Sequence, residues 1–210
     1  MKTALIVYAQ QSPASFNAAA LSGLYAMNFK ASATADDIKG DLKNPDDDIA
    51  EEQHKVEQAE LVIFQFPLYW FSIPAIMKGW IDRVLTQGFA FTLQKMYDNG
   101  IFKDKKAILS FTTGGTESMF QPDGIHGDFN VALWPLQNGV LRFCGFQVLA
   151  PRSSGVQHSP PDVRNAMLDA WQERLNGVFV KEKYASESHG ITTAQHLGKP
   201  LPPDNQTKAK

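Results

Sequence analysis

Three short segments contain most of the residues that could bind a ligand or take part in chemistry. Residues 9–17 (AQQSPASFN) offer hydroxyl and amide groups, and residues 66–74 (FPLYWFSIP) place three aromatic rings side by side. Residues 112–116 (TTGGT) combine two hydroxyls with two glycines, and His126 follows them. Anion binding, stacking on a flat ring and proton transfer are the chemistries that these residue types support.

The first segment could bind an anion. The Ser15 hydroxyl and the Asn17 amide, together with free backbone N–H groups at the start of a helix, form a natural anion site. The segment lacks the glycines of a P-loop or a dinucleotide-binding fingerprint. A simple helix N-cap is the alternative interpretation.

The second segment is an unusual choice for chain reversal, because Gly, Asn and Asp serve turns better. Tyr69, Trp70 and Phe71 instead offer large flat faces, and aromatic stacking contributes roughly 0.5–1.5 kcal/mol per pair beyond burial. The loop therefore favours a planar ligand, with a core or dimer cluster as the alternative.

The third segment could donate hydrogen bonds to the polar edge of a heterocycle. Glycine permits positive φ and lets backbone N–H groups approach a ligand closely. His126 could donate or relay a proton near neutral pH if its loop folds back over the ligand. An ordinary tight turn and an ordinary surface histidine are the alternatives.

Apolar runs alternate with helical patterns along the chain, which predicts an α/β fold: a doubly wound parallel sheet with helices on both faces. Ligands of such sheets bind beyond the carboxyl ends of the strands, where all three segments lie. The predicted strands are 4–8, 61–66, 107–111 and 146–149. The predicted helices are 51–59, one capped by Ser72 with Pro74 in its first turn, one containing 134–143 with Pro135 near its start, and 160–178.

An anion-binding first loop, an aromatic second loop and a glycine-rich third loop together favour a flavin pocket. Reduction of a flavin leaves negative charge along N1 and the adjacent carbonyl, which backbone donors and a protonatable group would stabilise.

Composition excludes several other classes of protein. The chain has 210 residues, a formal charge of -2 and a pI near 6.2, which gives no reason to expect nucleic acid or an anionic membrane as partner. No apolar run approaches the ~20 residues of a membrane span. We expect one catalytic domain over residues 1–180 and a polar, extended tail over 181–210.

The cysteine and histidine content argues against disulfides, thiol chemistry and metals. The single cysteine, Cys144, fits a reducing compartment, so we expect a cytoplasmic protein. Its apolar neighbours indicate a packing role. The five histidines are scattered without ligand spacing, so no metal is expected.

The residues also resemble a known family. LVIFQFPLYWFSIPAIMKGWIDRVL, GFAF, TTGGTESM, GIHGD and LRFCGFQVLAP are similar to motifs of the NAD(P)H:quinone oxidoreductase (DT-diaphorase) family of flavodoxin-like FAD enzymes, nearly continuously over residues 51–178. The segments LIVYAQQSPASFN, LYAMNF and HLGKPLPPDNQTKAK resemble its two ends.

The resemblance implies a homodimer with two FAD sites at the subunit interface. It implies ping-pong reduction, in which hydride passes from NAD(P)H to the flavin and then to a quinone in the vacated slot. The implied cofactor-binding residues are Gln10, Ser15, Phe16, Asn17, Pro67, Leu68, Tyr69, Trp70, Phe71, Thr112, Thr113, Gly114, Gly115 and Arg164. The implied substrate-binding residues are Ala90, Phe91, Thr92, Met96 and Phe143, and the implied catalytic residues are His126, Gly114 and Phe120.

This chain departs from the family pattern at several positions. Phe120 stands where the family usually has Tyr, so one hydroxyl donor to the reduced flavin is missing. Gln10 replaces a histidine of the first loop. Asn138 and Arg142 stand where the metal-bearing branch has histidines, which again predicts no zinc.

The chain is also shorter than the family. Only six residues separate Asn17 from Leu24, too few for the family's first helix and second, edge strand. Stretches near 44–48 and 181–188 are abridged as well. We expect the loss to expose the first strand and to weaken folding and FAD retention. Two rival functions follow: a catalytically impaired pseudo-enzyme that acts as an interaction dimer, and a quinone reductase that prefers dihydronicotinamide riboside, whose branch shares Tyr69.

Overall fold

The computed structural model of the protein describes residues 3–9, 23–35, 37, 47–155 and 159–178. The helical turn predicted near 16–21, the first-loop residues 10–17 and the tail 181–210 lie outside the described residues.

Five strands and four α-helices make up the described fold. The strands are β1 (Ala4–Tyr8), β2 (Leu61–Pro67), β3 (Lys106–Thr113), β4 (Gln147–Val148) and β5 (Arg152–Gly155). The α-helices are α1 (Asp47–Gln58), α2 (Ala75–Val84), α3 (Phe129–Trp134) and α4 (Pro161–Gly177). A π-helix (Pro135–Arg142) continues α3, and two short 3₁₀ turns cover Tyr97–Asn99 and Glu117–Phe120.

All strand pairs are parallel, in the order β1-β2-β3-β4, with β5 also pairing with β3. The register places Ile6 beside Ile63 and Ile63 beside Ile108. Parallel strands covered on both faces read as continuous apolar runs, as the sequence of β2 does.

Helices cover both faces of the sheet, as predicted. Phe64 and Phe66 point into the larger core, which also contains Met77 and Trp80 of α2. Leu61 and Ile63 point to the opposite face, where Trp171 and Leu175 of α4 pack against them. The predicted flavodoxin-like α/β arrangement is confirmed.

β1 lies at one edge of the described sheet. Among the described residues its only strand partner is β2, and on its other side the Leu24 N–H donates to Tyr8 O at 2.9 Å. The described part of the chain therefore has no strand beyond β1, and the loss of the family's edge strand stays a prediction.

Two local predictions were wrong, and one strand was missed. Pro74, not Ser72, is the N-cap residue of α2, and no side chain caps that end. Pro135 lies inside a continuous helical segment: it has no N–H to continue the α-helix, and the chain changes there from α3 to the π-helix. β5 (RSSG) was missed because its polar sequence gives no strand signal, and its pairing with β3 alone defines it.

Gly79, on α2, packs against the segment that precedes α1, whereas Gly139, in the π-helix, has open space around it. A methyl group at Gly79 would overlap the backbone of Ala31, whereas a methyl group at Gly139 would meet nothing within 4 Å. We expect Gly79→Ala to lower the free energy of unfolding by about 1–3 kcal/mol, because overpacking forces a backbone shift. Gly139→Ala, its matched control, should raise it by up to about 1 kcal/mol because Ala is the better helix former. Urea denaturation measures the free energy of unfolding of both variants. Changes of the same sign in Gly79→Ala and Gly139→Ala would contradict this packing.

Candidate functional site

The aromatic second loop forms a tight two-residue turn. Tyr69 and Ser72 exchange both backbone hydrogen bonds at 2.9 Å, and the Leu68 N–H donates to Thr112 O at 2.8 Å. Between them Trp70 has φ 49° and Phe71 has φ 60°. The turn is therefore attached to β3, and both of its central residues lie in the left-handed region.

This turn is strained. Left-handed backbone costs a non-glycine residue about 1–2 kcal/mol, and hairpin turns of this kind prefer Asn-Gly. Burial does not offset the cost at Trp70, whose side chain is 96% exposed. The turn therefore holds an exposed aromatic side chain in a backbone conformation that burial of Trp70 does not explain.

The glycine-rich third loop begins where β3 ends, at Thr113. The Thr113 hydroxyl donates to Gly115 O at 2.9 Å, so this group serves the loop itself. A Cβ at Gly115 would lie 3.0 Å from the Phe120 ring and 3.1 Å from the Met119 sulfur, whereas Gly114 is exposed. The donors that this loop can offer a ligand are its backbone N–H groups.

The second and third loops meet through three rings. The ring centroids of Phe71 and His126 are 5.3 Å apart, those of Phe120 and His126 are 5.0 Å apart, and those of Phe71 and Phe120 are 6.2 Å apart. The His126 N–H also donates to Met119 O at 2.9 Å. The structure thus brings the aromatic turn, the glycine loop and the histidine together at the carboxyl edge of the sheet.

The predicted substrate-binding residues form a second cluster. The rings of Phe91 and Phe143 are 5.1 Å apart, and Ala90 beside them is buried. The Thr92 hydroxyl accepts from Lys95 N–H at 3.1 Å and Met96 is half-buried.

Tyr97 also belongs to this second cluster, although no motif in the sequence singles it out. Its ring lies 5.4 Å from that of Phe143, and its N–H donates to Phe143 O at 2.9 Å. The Arg142 guanidinium lies 5.9 Å from the centre of the same ring. Tyr97 has a φ of 52°, a left-handed conformation that no local sequence pattern predicts.

The remaining predicted residues lie elsewhere. Arg164 is half-buried in the first turn of α4, and Gln10, Ser15, Phe16 and Asn17 are outside the described residues. Burial raises the pKa of the Cys144 thiol to about 12, so this cysteine is a protonated packing residue, as predicted.

The part of the chain that the structure describes offers neither a metal-binding cluster nor a membrane-spanning helix. It contains no group of three or more His, Cys, Asp or Glu side chains placed to bind a metal ion. None of its helices is both long enough and apolar enough to cross a membrane.

Comparison with known proteins identifies the family. A family model described as a flavodoxin-like fold matches residues 2–175. NAD(P)H dehydrogenase [quinone] 1 of Cavia porcellus is 41% identical, over 100% of this chain and 98% of the relative. The chain belongs to the NAD(P)H:quinone oxidoreductase family.

Other members of this quinone oxidoreductase family are similar too. Ribosyldihydronicotinamide dehydrogenase [quinone] of Rattus norvegicus is 48% identical over 86% of this chain and 94% of the relative. A candidate quinone reductase of Klebsiella pneumoniae has a TM-score of 0.78 and 33% identity, covering 87% of this chain and 86% of that one. The alignment with the Cavia porcellus relative spans 271 positions, whereas this chain has 210 residues, so the sequence is shorter than that relative.

Proposed function

We propose that this protein catalyses the two-electron reduction of quinones by NAD(P)H with bound FAD. The observation that carries the proposal is the meeting of Phe71 and Phe120 with His126, beside a glycine loop that offers backbone donors. The similarity to relatives named as quinone dehydrogenases supports the same activity.

The residues around the two loops fit a flavin ring. Trp70 offers an exposed aromatic face on a strained turn, and Gly114 offers exposed backbone where β3 ends. A side chain at Gly115 would contact Phe120 and Met119, so glycine there lets the loop pack closely against the Phe120 ring. When bound, the flavin would supply a centre that accepts and returns a hydride.

Each implied residue has a role in this proposal. Pro67, Leu68 and Tyr69–Phe71 would flank the ring, and the 112–115 loop would hydrogen-bond its polar edge. His126 would hold or donate a proton there, because imidazole exchanges a proton near neutral pH. For the rest of FAD we propose the pyrophosphate contacts at Phe16 and Asn17, with Gln10, Ser15 and Arg164 completing the binding set.

The substrate site would lie against the second cluster, formed by Phe91, Phe143 and Tyr97. Several large apolar side chains remain exposed on this chain, among them Leu93 (74%) and Ile125 (85%). A subunit interface would cover such side chains, so their exposure supports the proposed homodimer with sites at its interface. Residues 1–180 would form the catalytic unit, 181–210 a tail, and the cytoplasm is the proposed location.

An absorbance spectrum of the purified protein tests the proposal. We expect oxidised-flavin bands that bleach on anaerobic addition of NADH and return when menadione is added. Release of the cofactor in acid followed by chromatography separates FAD from FMN. Protein without flavin bands after supply of FAD would overturn the proposal and favour the pseudo-enzyme.

A second candidate donor is dihydronicotinamide riboside. Tyr69 is present on the exposed turn, and the rat ribosyldihydronicotinamide dehydrogenase is 48% identical. Turnover of menadione with equal concentrations of NADH and the riboside decides between the two donors.

Adding a hydroxyl at position 120, by Phe120→Tyr, should increase the rate at which NADH reduces bound flavin. The end of the Phe120 ring lies beside Gly115, so the hydroxyl of Phe120→Tyr would emerge next to the loop that offers hydrogen-bond donors. We expect about a tenfold faster reduction of bound flavin by NADH, because an extra donor stabilises charge that develops in the transition state. Stopped-flow absorbance measures the rate, with Phe120→Leu as the matched control. An unchanged rate in Phe120→Tyr would show that the missing hydroxyl is not limiting.

A further inference from the structure

His126 is oriented by ring contacts alone within the described part of the chain. Its imidazole meets Phe71 edge-on, at 73° between the ring planes, and Phe120 at 44°. Among the described residues no hydrogen bond or ion pair reaches its ring nitrogens; the one bond at this residue joins its backbone N–H to Met119 O. Within the residues that the structure describes, the imidazole nitrogens are therefore available to a ligand, and Phe71 and Phe120 are the rings that contact the imidazole.

We propose that Phe71 is a positioning residue for His126, and that the strained 69–72 turn exists partly to place the Phe71 ring against the imidazole. The proposal rests on the proposed function, in which His126 holds a proton beside the flavin. Phe71 then acts on the reaction through the histidine, in addition to any contact it makes with the cofactor.

The turn can do this because its backbone leaves Phe71 little freedom. Hydrogen bonds between Tyr69 and Ser72 close the turn, and the bond from Leu68 to Thr112 ties it to the strand that leads into the glycine loop. With φ at 60°, Phe71 projects across to the third loop, where it meets both Phe120 and His126.

Core packing does not account for this arrangement. The Phe71 side chain is still 43% exposed, and Trp70 before it is almost fully exposed. Unfavourable backbone at two adjacent bulky residues is retained where it positions functional groups. Placement errors of about 1 Å can slow an enzyme about a hundredfold, so the orientation of an otherwise unbonded imidazole matters.

A double-mutant cycle on the flavin-loaded enzyme tests the proposal. The variants are Phe71→Leu, which keeps an apolar side chain without β-branching, His126→Gln, and the two combined. The measured quantity is the rate of flavin bleaching by NADH, normalised to the bound flavin in each sample, so that weaker cofactor binding does not enter. Leu168→Ala on α4 serves as the distant control.

We expect Phe71→Leu to slow bleaching about tenfold in the wild-type background and less than twofold in the His126→Gln background. Phe71→Tyr should recover the larger part of the loss because it retains the ring. The proposal would be overturned if Phe71→Leu slowed bleaching equally in the wild-type and His126→Gln backgrounds, or did not slow it at all. If Phe71→Leu does not fold, Phe71→Met takes its place in the cycle.

A second measurement separates this proposal from the proposed function. If the wild-type protein takes up no flavin, the proposed function fails, whereas the ring contact can still be measured by proton NMR of the flavin-free protein. Removal of the Phe71 ring should then move the Cε1–H resonance of His126 and leave that of His54 unchanged. An unmoved His126 resonance would overturn the positioning role.

Discussion

Arg83→Met is expected to lower the free energy of unfolding by about 3–5 kcal/mol, the largest stability effect we predict. The Arg83 guanidinium donates from Nε to Asp37 Oδ2 at 2.9 Å, and both side chains are almost fully buried. It also donates to Lys30 O at 3.0 Å. Removing one partner of a buried ion pair leaves the other charge uncompensated, which costs far more than the pair contributes.

Urea denaturation at pH 7 measures this loss. Lys78→Met is the matched control, because Lys78 lies on the same helix and forms an exposed pair with Asp82 at 2.6 Å. Exposed pairs contribute about 0–1 kcal/mol, so the control should change little. A similar loss in both variants would show that the buried ion pair of Arg83 contributes no more to stability than the exposed pair of Lys78.

The same ion pair gives stability a predicted pH dependence. Burial works to raise the pKa of Asp37, but hydrogen bonds from Thr34 and Arg83 outweigh it and hold that pKa below its usual 3.8. The folded protein therefore binds this proton less readily than the unfolded chain, so the contribution is complete above about pH 4 and is lost as pH falls through the folded pKa. The difference between wild type and Arg83→Met should shrink between pH 7 and pH 3; a constant difference would contradict the assignment.

Trp70→Asn is expected to stabilise the flavin-free protein by roughly 0.5–1 kcal/mol and to weaken FAD binding about thirtyfold or more. The stability gain follows because Asn tolerates the φ of 49° and because the almost fully exposed indole contributes little burial. The affinity loss follows because the stacking interaction and the burial of the indole face against the ring are both removed, together about 2 kcal/mol.

A gain in the stability of the flavin-free protein together with a loss of FAD affinity would show that the strained turn is retained for cofactor binding. Trp70→Ala should show the same loss of affinity without the gain in stability, because Ala does not favour positive φ. Thermal denaturation of the apoprotein and fluorescence titration with FAD give the two values. Unchanged affinity in both variants would remove Trp70 from the cofactor site.

Much of the fold was predictable because buried parallel strands require continuous apolar runs. The β1 bounds, Ala4–Tyr8, were predicted to the residue, and the core of β2 was found from LVIFQF. The helix over Pro161–Gly177 was likewise found from its apolar stripe, of which Trp171 and Leu175 pack against the sheet. Two segments were not predicted correctly. Arg152–Gly155 is a strand because it pairs with β3, and the helix around Pro135 continues from the helix before it. Neither cause is visible in the local sequence.

The sequence by itself determined the family, the order of the strands and helices other than β5, and the residue types at the carboxyl edge of the sheet. Only the tertiary structure decided that Phe71 meets His126, that Trp70 and Phe71 occupy left-handed backbone, and that Asp37 pairs with Arg83. The physical reason is that a local sequence pattern shows only which side of a helix or strand is apolar. Contacts between loops that are distant in sequence depend on how the whole sheet assembles, and a strained backbone is stable only within the assembled fold.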